Sequence, residues 1–130
     1  MRPSHLLTPF FFAILLLGSC KKDSDVAVPD ALFGKVWLNT GQQDAAGAYL
    51  YQPEGTFTSP GWRDGFRFDS DGKFTLYTQG PNDAPLNVSG VWTTEDGQTF
   101  HIKQTTDAAS GYNILIYSVH PSSLKARRTQ

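Results

Sequence analysis

The sequence predicts an all-β domain, a small antiparallel meander that closes into a barrel or a β-sandwich. From about Leu32 onward the chain is dense in aromatic, β-branched and glycine residues, and no segment keeps a helical periodicity. Apolar and polar residues alternate instead in short runs, and turn residues separate these runs at the spacing of a meander. At 130 residues the chain has room for one domain of this kind.

The alternating runs form three predicted hairpins. In the clearest one, the runs Phe66–Phe68 and Phe74–Thr78 flank a turn at Asp71-Gly72. The other two hairpins pair Val88–Trp92 with Phe100–Ile102 across Glu95-Asp96-Gly97, and Tyr112–His120 with Leu124–Arg128 across Pro121-Ser122-Ser123. Two further short strands are predicted upstream, at Lys35–Thr40 and Ala48–Pro53.

The first nineteen residues have the pattern of a signal peptide. Arg2 and His5 give a short basic beginning, and an apolar run follows from Leu6 to Leu17, interrupted by Thr8 and Pro9. A membrane-spanning helix needs about 20 apolar residues, so this run is too short to be one. We therefore expect residues 1–19 to be a signal peptide.

The signal peptide is followed by the single cysteine of the chain. The order Leu17-Gly18-Ser19-Cys20 resembles the lipobox of bacterial lipoproteins. The resemblance implies that cleavage leaves Cys20 as an N-terminus carrying acyl chains, which anchor the protein to the outer membrane on its periplasmic or cell-surface face. An acylated Cys20 leaves no thiol for a disulfide, a nucleophile or a soft metal site. A secreted protein with one free cysteine, or an uncleaved anchor, are the alternatives.

The remaining chain divides into a tether and one domain. Residues 20–31 are polar and turn-rich, and they are predicted to be a flexible tether, with the β-domain spanning residues 32–130. A formal net charge of −1 argues against nucleic acid as a partner, because neutralising phosphates requires a concentrated excess of Lys and Arg. We interpret the basic cluster Lys125, Arg127 and Arg128 as a solvated tail rather than a binding patch.

Several short motifs of this domain resemble the small lipocalin-like domains of bacterial lipoproteins. They are "DSDGKF", "SGVW" and "SSLKARR", and the similarity runs from about Gly34 to Arg128. It implies a small barrel able to hold an apolar ligand, although the chain is too short for eight long strands and hence for a roomy calyx. A narrower group of small bacterial proteins, which implies a fold and no activity, is similar at Tyr51-Gln52-Pro53, Arg63–Phe66, Asp71–Phe74 and Gly80–Asp83.

The segment Gly41–Asp64 interrupts the alternation and is predicted to be a long connection with exposed aromatic residues. Long connections on a β scaffold often carry binding residues. The rings offer flat faces to a sugar or a lipid, and an arginine can stack on a ring or hold a carboxylate. The candidate ligand-binding residues are Tyr49, Tyr51, Trp62 and Arg63. Alternatively, the rings cap one end of the core, and an Arg63–Asp64 pair pins the loop.

No catalytic, cofactor or metal site is predicted. The acidic stretch at Asp69 resembles the start of a calcium loop, but the twelfth position is Gly80 instead of the closing glutamate. His101 and His120 lack a third ligand at a fixed spacing, so we expect surface histidines. The sequence therefore predicts a non-enzymatic binding role, for a small apolar or sugar-like ligand. The alternative is a protein-interaction or inhibitor module of an envelope complex.

Overall fold

The computed structural model describes residues 26–58, 61–107 and 110–130, and the expected signal peptide and Cys20 lie outside these ranges. The strands are β1 (Val36–Gln43), β2 (Tyr49–Pro53), β3 (Gly65–Phe68), β4 (Lys73–Gln79), β5 (Pro85–Thr94), β6 (Thr99–Gln104), β7 (Gly111–His120) and β8 (Ser123–Thr129). Short 3₁₀ helices occur at Asp30–Leu32 and Pro81–Asp83. Within the described ranges, neither helix has the length or the apolarity to cross a membrane.

The eight strands form a closed antiparallel β-barrel, as the sequence predicts. The order around the barrel is β1-β2-β8-β7-β6-β5-β4-β3, so every strand has two hydrogen-bonded neighbours. Closure removes the free strand edges that would otherwise pair with other chains. All three predicted hairpins are confirmed as the pairs β3–β4, β5–β6 and β7–β8, and both upstream strands are present as β1 and β2.

The beginning of the barrel departs from the predicted meander. Strands β3 to β8 follow one another around the barrel, but β3 pairs with β1, and β2 pairs with β8. Because β2 and β3 are both antiparallel to β1, they run parallel to each other on its two sides. Residues 54–64 therefore form a crossover connection rather than a hairpin loop.

The long connection predicted at Gly41–Asp64 is wrong as a single element. Its first residues, up to Gln43, belong to β1, and Tyr49–Pro53 is β2. Two shorter connections remain, residues 44–48 and the crossover 54–64. Strand β2 agrees with the short strand predicted at Ala48–Pro53, so the error is confined to the single long connection.

Aromatic side chains fill the centre of the barrel. Phe68 is completely buried and packs against the rings of Phe66, Phe74, Trp92 and Phe100 at centroid distances of 5.0–6.3 Å. All four pairs are edge-to-face, an arrangement that the ring quadrupoles favour. The alternation that predicted the strands is the alternation that points these rings inward.

The two ends of the barrel differ, and we name them the base and the mouth. The base carries the turns 69–72, 95–98 and 121–122, whereas the mouth carries the turn 44–48 and the end of β8. The segment before β1 closes the base. Leu32 is completely buried and its carbonyl accepts a hydrogen bond from the Trp37 indole (3.0 Å), while Phe33 stacks on Trp92 at 5.7 Å.

The predicted tether ends earlier than residue 31, because its last residues pack on the base. Val28 contacts the hydrophobic core, and the helix Asp30–Leu32 follows directly. At Gly97 a Cβ atom would approach the carbonyl oxygen of Ala27 to 2.9 Å. The packed part of the chain thus begins before the domain boundary that composition alone predicts.

Candidate functional site

The mouth contains a hollow, which we divide into a basin and a pit. The basin has a volume of about 650 Å³ and opens to solvent; it is lined by Asn39, Gln43, Gly47, Tyr49, Tyr51, Asp64, Arg127 and Arg128. The pit is a narrower recess of about 50 Å³, lined by Tyr51, Asp64, Gly65, Phe66, Leu76, Tyr112, Ile114 and Arg128. Three residues, Tyr51, Asp64 and Arg128, line both. The pit is therefore adjacent to the basin.

Tyr51 forms the wall between the basin and the core. It lies on β2 opposite Leu124 of β8, it is 7% exposed, and its ring is 4.8 Å from that of Phe66. Burial and the negative charge of Asp64 raise the pKa of the Tyr51 phenol to about 12, and Arg128 partly opposes this increase. Both causes disfavour the phenolate, so Tyr51 is a neutral hydroxyl at physiological pH.

Tyr112 contributes a second phenol to the pit. Only 5% of this β7 residue is exposed, and its hydroxyl is buried without a hydrogen-bond partner in the described part of the chain. Burial raises the pKa of the Tyr112 phenol, and the charge of Arg128 opposes this. An unsatisfied buried hydroxyl costs free energy, so its presence at a recess requires an explanation.

Arg128 covers Tyr112. Its Cζ atom is 3.8 Å from the centre of the Tyr112 ring, in the position of a cation–π contact. The basic residues Lys125, Arg127 and Arg128 do not form a tail, because all three lie in β8, but their side chains are exposed to solvent as predicted. Leu124 and Ala126 are buried, and the two-residue period places Arg128 on the same inward side at the mouth.

The turn 44–48 forms a braced part of the rim. The Asp44 carboxylate accepts hydrogen bonds from the backbone N–H groups of Ala46 (2.9 Å) and Ala48 (3.0 Å), and it lies 3.7 Å from the Lys125 ammonium. The bond from Ala48 is the largest cause of the lowered pKa of Asp44. Arg127 donates a further bond to the Ala46 carbonyl (3.2 Å). The rim beside the basin is thus fixed by hydrogen bonds.

The four predicted ligand-binding residues do not lie together. Tyr49 and Tyr51 line the basin, but Tyr51 is buried rather than exposed. Trp62 is 44% exposed on the crossover and lines neither recess. Arg63 is also outside both: its guanidinium stacks on Phe57 at 4.1 Å and donates a long hydrogen bond of 3.5 Å to the Asn39 carbonyl. The hydrogen bond to Asn39 therefore attaches the end of the crossover to β1, whereas the contact with Phe57 lies within the crossover itself.

Both candidate histidines lie on the surface, as predicted, and Asp69 of the aspartate-rich turn is paired within the barrel. His101 is exposed, with its Nδ1 2.7 Å from the Asn113 side-chain oxygen, and His120 is exposed at the end of β7. The Asp69 carboxylate accepts a hydrogen bond from Arg67 Nε (2.8 Å), which uses the first ligand of the suspected calcium loop. Across residues 26–58, 61–107 and 110–130, no three acidic, histidine or cysteine side chains are grouped to hold a metal ion.

Burial of Tyr51 makes stability depend on pH in the alkaline range. The pKa of Tyr51 is about 12 in the folded state and about 10 in the unfolded state. Its contribution to the free energy of unfolding is therefore fully present below pH 10 and is lost as the pH rises through 12. The expected loss is roughly 2–3 kcal/mol. Urea denaturation between pH 9 and 12 measures it, and Tyr51→Phe is expected to flatten this part of the curve. If the free energy of unfolding of Tyr51→Phe depended on pH as steeply as that of the wild type, the assignment of this dependence to Tyr51 would be contradicted.

No protein-family model matches this chain, and no curated protein or solved structure matches it significantly.

Proposed function

We propose that this protein is a lipid-anchored lipoprotein of the bacterial outer membrane with a non-enzymatic binding role, and that it holds a small polar ligand at the mouth of its barrel. The observation that carries the proposal is the basin of about 650 Å³, in which tyrosine, asparagine, glutamine and arginine side chains converge above a packed core. Convergent polar groups in a concave recess are typical of ligand sites.

The packed core argues that the ligand stays in the basin. Ligand pockets generally have volumes of about 300–1,000 Å³. The pit has a volume of about 50 Å³, and its lining includes the buried core residues Phe66 and Ile114. Among the described residues, this recess is too small for an apolar ligand inside the barrel, the kind that the lipocalin-like resemblance implies. The lining of the basin favours the sugar-like alternative, because phenol rings and amides bind hydroxylated ligands.

The position of the N-terminal segment supports a mouth directed away from the membrane. Residues 26–32 pack at the base, at the opposite end from the basin. Only residues 21–25 separate them from Cys20, and five residues reach at most about 18 Å. An acylated Cys20 would hold the base near the lipid surface, leaving the basin open to the solvent on that side of the membrane.

A protein-interaction module is the second candidate. The packing of the described core side chains favours it, because a barrel filled in this way offers a partner its outer surface. Trp62, exposed on the crossover, is an aromatic residue of the type that is enriched at protein interfaces. In this case the partner would bind across the mouth and the crossover.

Native mass spectrometry of the protein purified in detergent from its own cells tests both candidates. We expect the mass of acyl chains on Cys20 and of one small polar molecule, which Arg128→Gln loses and the outward-facing control Lys103→Gln retains. A co-purified protein without a small molecule, abolished by Trp62→Ala, would instead establish the second candidate. An unmodified Cys20 would contradict the anchor.

A further inference from the structure

We propose that the pit receives the carboxylate of the ligand, with Arg128 as its counter-ion and Asp64 as the acceptor for a donor group on the adjacent carbon. The chemical class is an α-hydroxy or α-amino carboxylate, whose remaining atoms lie in the basin. This inference rests on the proposed function, since it names the ligand that the basin holds.

The charge of Arg128 is available for a ligand. The ion pairs of the described residues are Arg67–Asp69, Lys73–Asp71 and Lys125–Asp44, and Arg128 belongs to none of them. Its contact with Tyr112 engages one face of the guanidinium, and no side chain of the described residues forms an ion pair with its in-plane N–H donors. These donors match the two oxygens of a carboxylate in a bidentate arrangement.

The unpartnered Tyr112 hydroxyl supplies a second, independent indication. It is buried below Arg128, and the same side chain covers its ring. A movement of Arg128 toward an anion would uncover this hydroxyl, which could then donate a hydrogen bond to a carboxylate oxygen. Binding would give this hydroxyl the hydrogen-bond partner that the described protein groups do not provide.

Asp64 determines which carboxylates fit. This exposed carboxylate lines the pit and the basin together with Arg128, and its charge acts on Tyr51. A simple anion such as acetate would be repelled by Asp64, whereas a ligand with a neighbouring hydroxyl or ammonium group would donate to it. The pairing of one cationic and one anionic wall therefore favours a carboxylate with an adjacent donor.

The size of the pit limits how much of the ligand enters. About 50 Å³ accommodates a small polar group, since a single water needs at least about 10–15 Å³ measured in this way. The rest of the ligand would contact Tyr49, Asn39 and Gln43 in the basin. The part of the ligand that lies in the basin determines the affinity, while the pit selects for the carboxylate group.

The test is a nuclear magnetic resonance titration of the full ¹⁵N-labelled chain in detergent, with lactate, L-alanine, acetate and ethanolamine as probes. We expect lactate or L-alanine to bind about 10-fold more tightly than acetate or ethanolamine, with shifts at the Arg128 Nε–H and the Tyr112 amide. Stronger binding of lactate assigns the hydroxy acid, and stronger binding of L-alanine assigns the amino acid.

Four variants separate the inference from a structural effect. Arg128→Gln should abolish the chemical shift changes that the probes cause. Asp64→Asn should bring the ratio of the affinities for lactate or L-alanine and for acetate close to one. The control Lys103→Gln should leave the shift changes and the affinities as they are in the wild type. Tyr112→Phe removes the unsatisfied hydroxyl, so it should weaken probe binding without lowering stability. Equal binding of all probes, or shifts that persist in Arg128→Gln, would overturn the inference. A co-purified mouth ligand without a carboxylate would overturn it while leaving the proposed function intact.

Discussion

Replacing Phe68 by alanine is expected to lower the free energy of unfolding by about 3–5 kcal/mol. Phe68 is completely buried at the centre of the barrel, and its ring touches Phe74 and Phe100 at 5.0 and 5.1 Å. Truncation loses the burial of the ring, its edge-to-face contacts and the close packing, and the short strand β3 can relax only slightly to fill the cavity.

Urea denaturation followed by circular dichroism measures this loss. Domains of this size are stable by about 5–15 kcal/mol, so the variant is expected to be partly unfolded at elevated temperature. Tyr117→Ala is the matched control, because Tyr117 is an aromatic strand residue that is 46% exposed; its expected loss is at most about 1 kcal/mol. Similar losses in both variants would show that the aromatic interior is not the source of stability.

Substituting Gly65 by alanine is the second change with a large expected effect, about 3 kcal/mol or more. Gly65 is buried where β3 begins beside β1, and an added Cβ would overlap the carbonyl oxygen of Trp37 and approach Leu38 Cδ2 to 2.9 Å. A backbone atom of a paired strand cannot move aside as a flexible side chain can. The strand pair β1–β3 would have to separate at the mouth, where Gly65 also lines the pit.

Thermal denaturation of Gly65→Ala and Gly80→Ala provides the comparison. A Cβ at Gly80 meets its nearest atoms at 3.5–3.6 Å, which is ordinary contact, so this variant should stay within about 1 kcal/mol of the wild type. Gly65→Ala is expected to lower the midpoint temperature of unfolding strongly. In nuclear magnetic resonance spectra of this variant, the resonances of residues around the pit are expected to broaden. A fully stable Gly65→Ala protein would mean that β1 and β3 are less closely paired than the structure has them.

The sequence predicts the strands well because strand alternation and turn chemistry are local. The turn before Lys73, for example, has Gly72 at φ 91° and an Asp71 carboxylate that accepts the Lys73 N–H at 3.1 Å. The order of the first strands is not local. The pairing of β2 with β8 brings Tyr51 opposite Leu124, and no feature of either segment indicates that partner.

The site was predictable only in part for the same reason. Tyr49 and Tyr51 were identified by their aromatic character, whereas Arg128 was assigned to a terminal basic cluster although Leu124 and Ala126 place it on the inward face. Tyr112 carried no signal beyond that of an ordinary strand residue. The pit joins side chains from β2, β3, β4, β7 and β8, so it exists only once the barrel is closed.

Binding at the mouth, above a filled barrel, is tested most directly by nuclear Overhauser contacts between the co-purified ligand and the protein. The proposed arrangement predicts contacts from ligand protons to the rings of Tyr49 and Tyr51 at the basin. Contacts to Phe100 and Ile102, which are buried among the packed side chains, would place the ligand inside the barrel and contradict it.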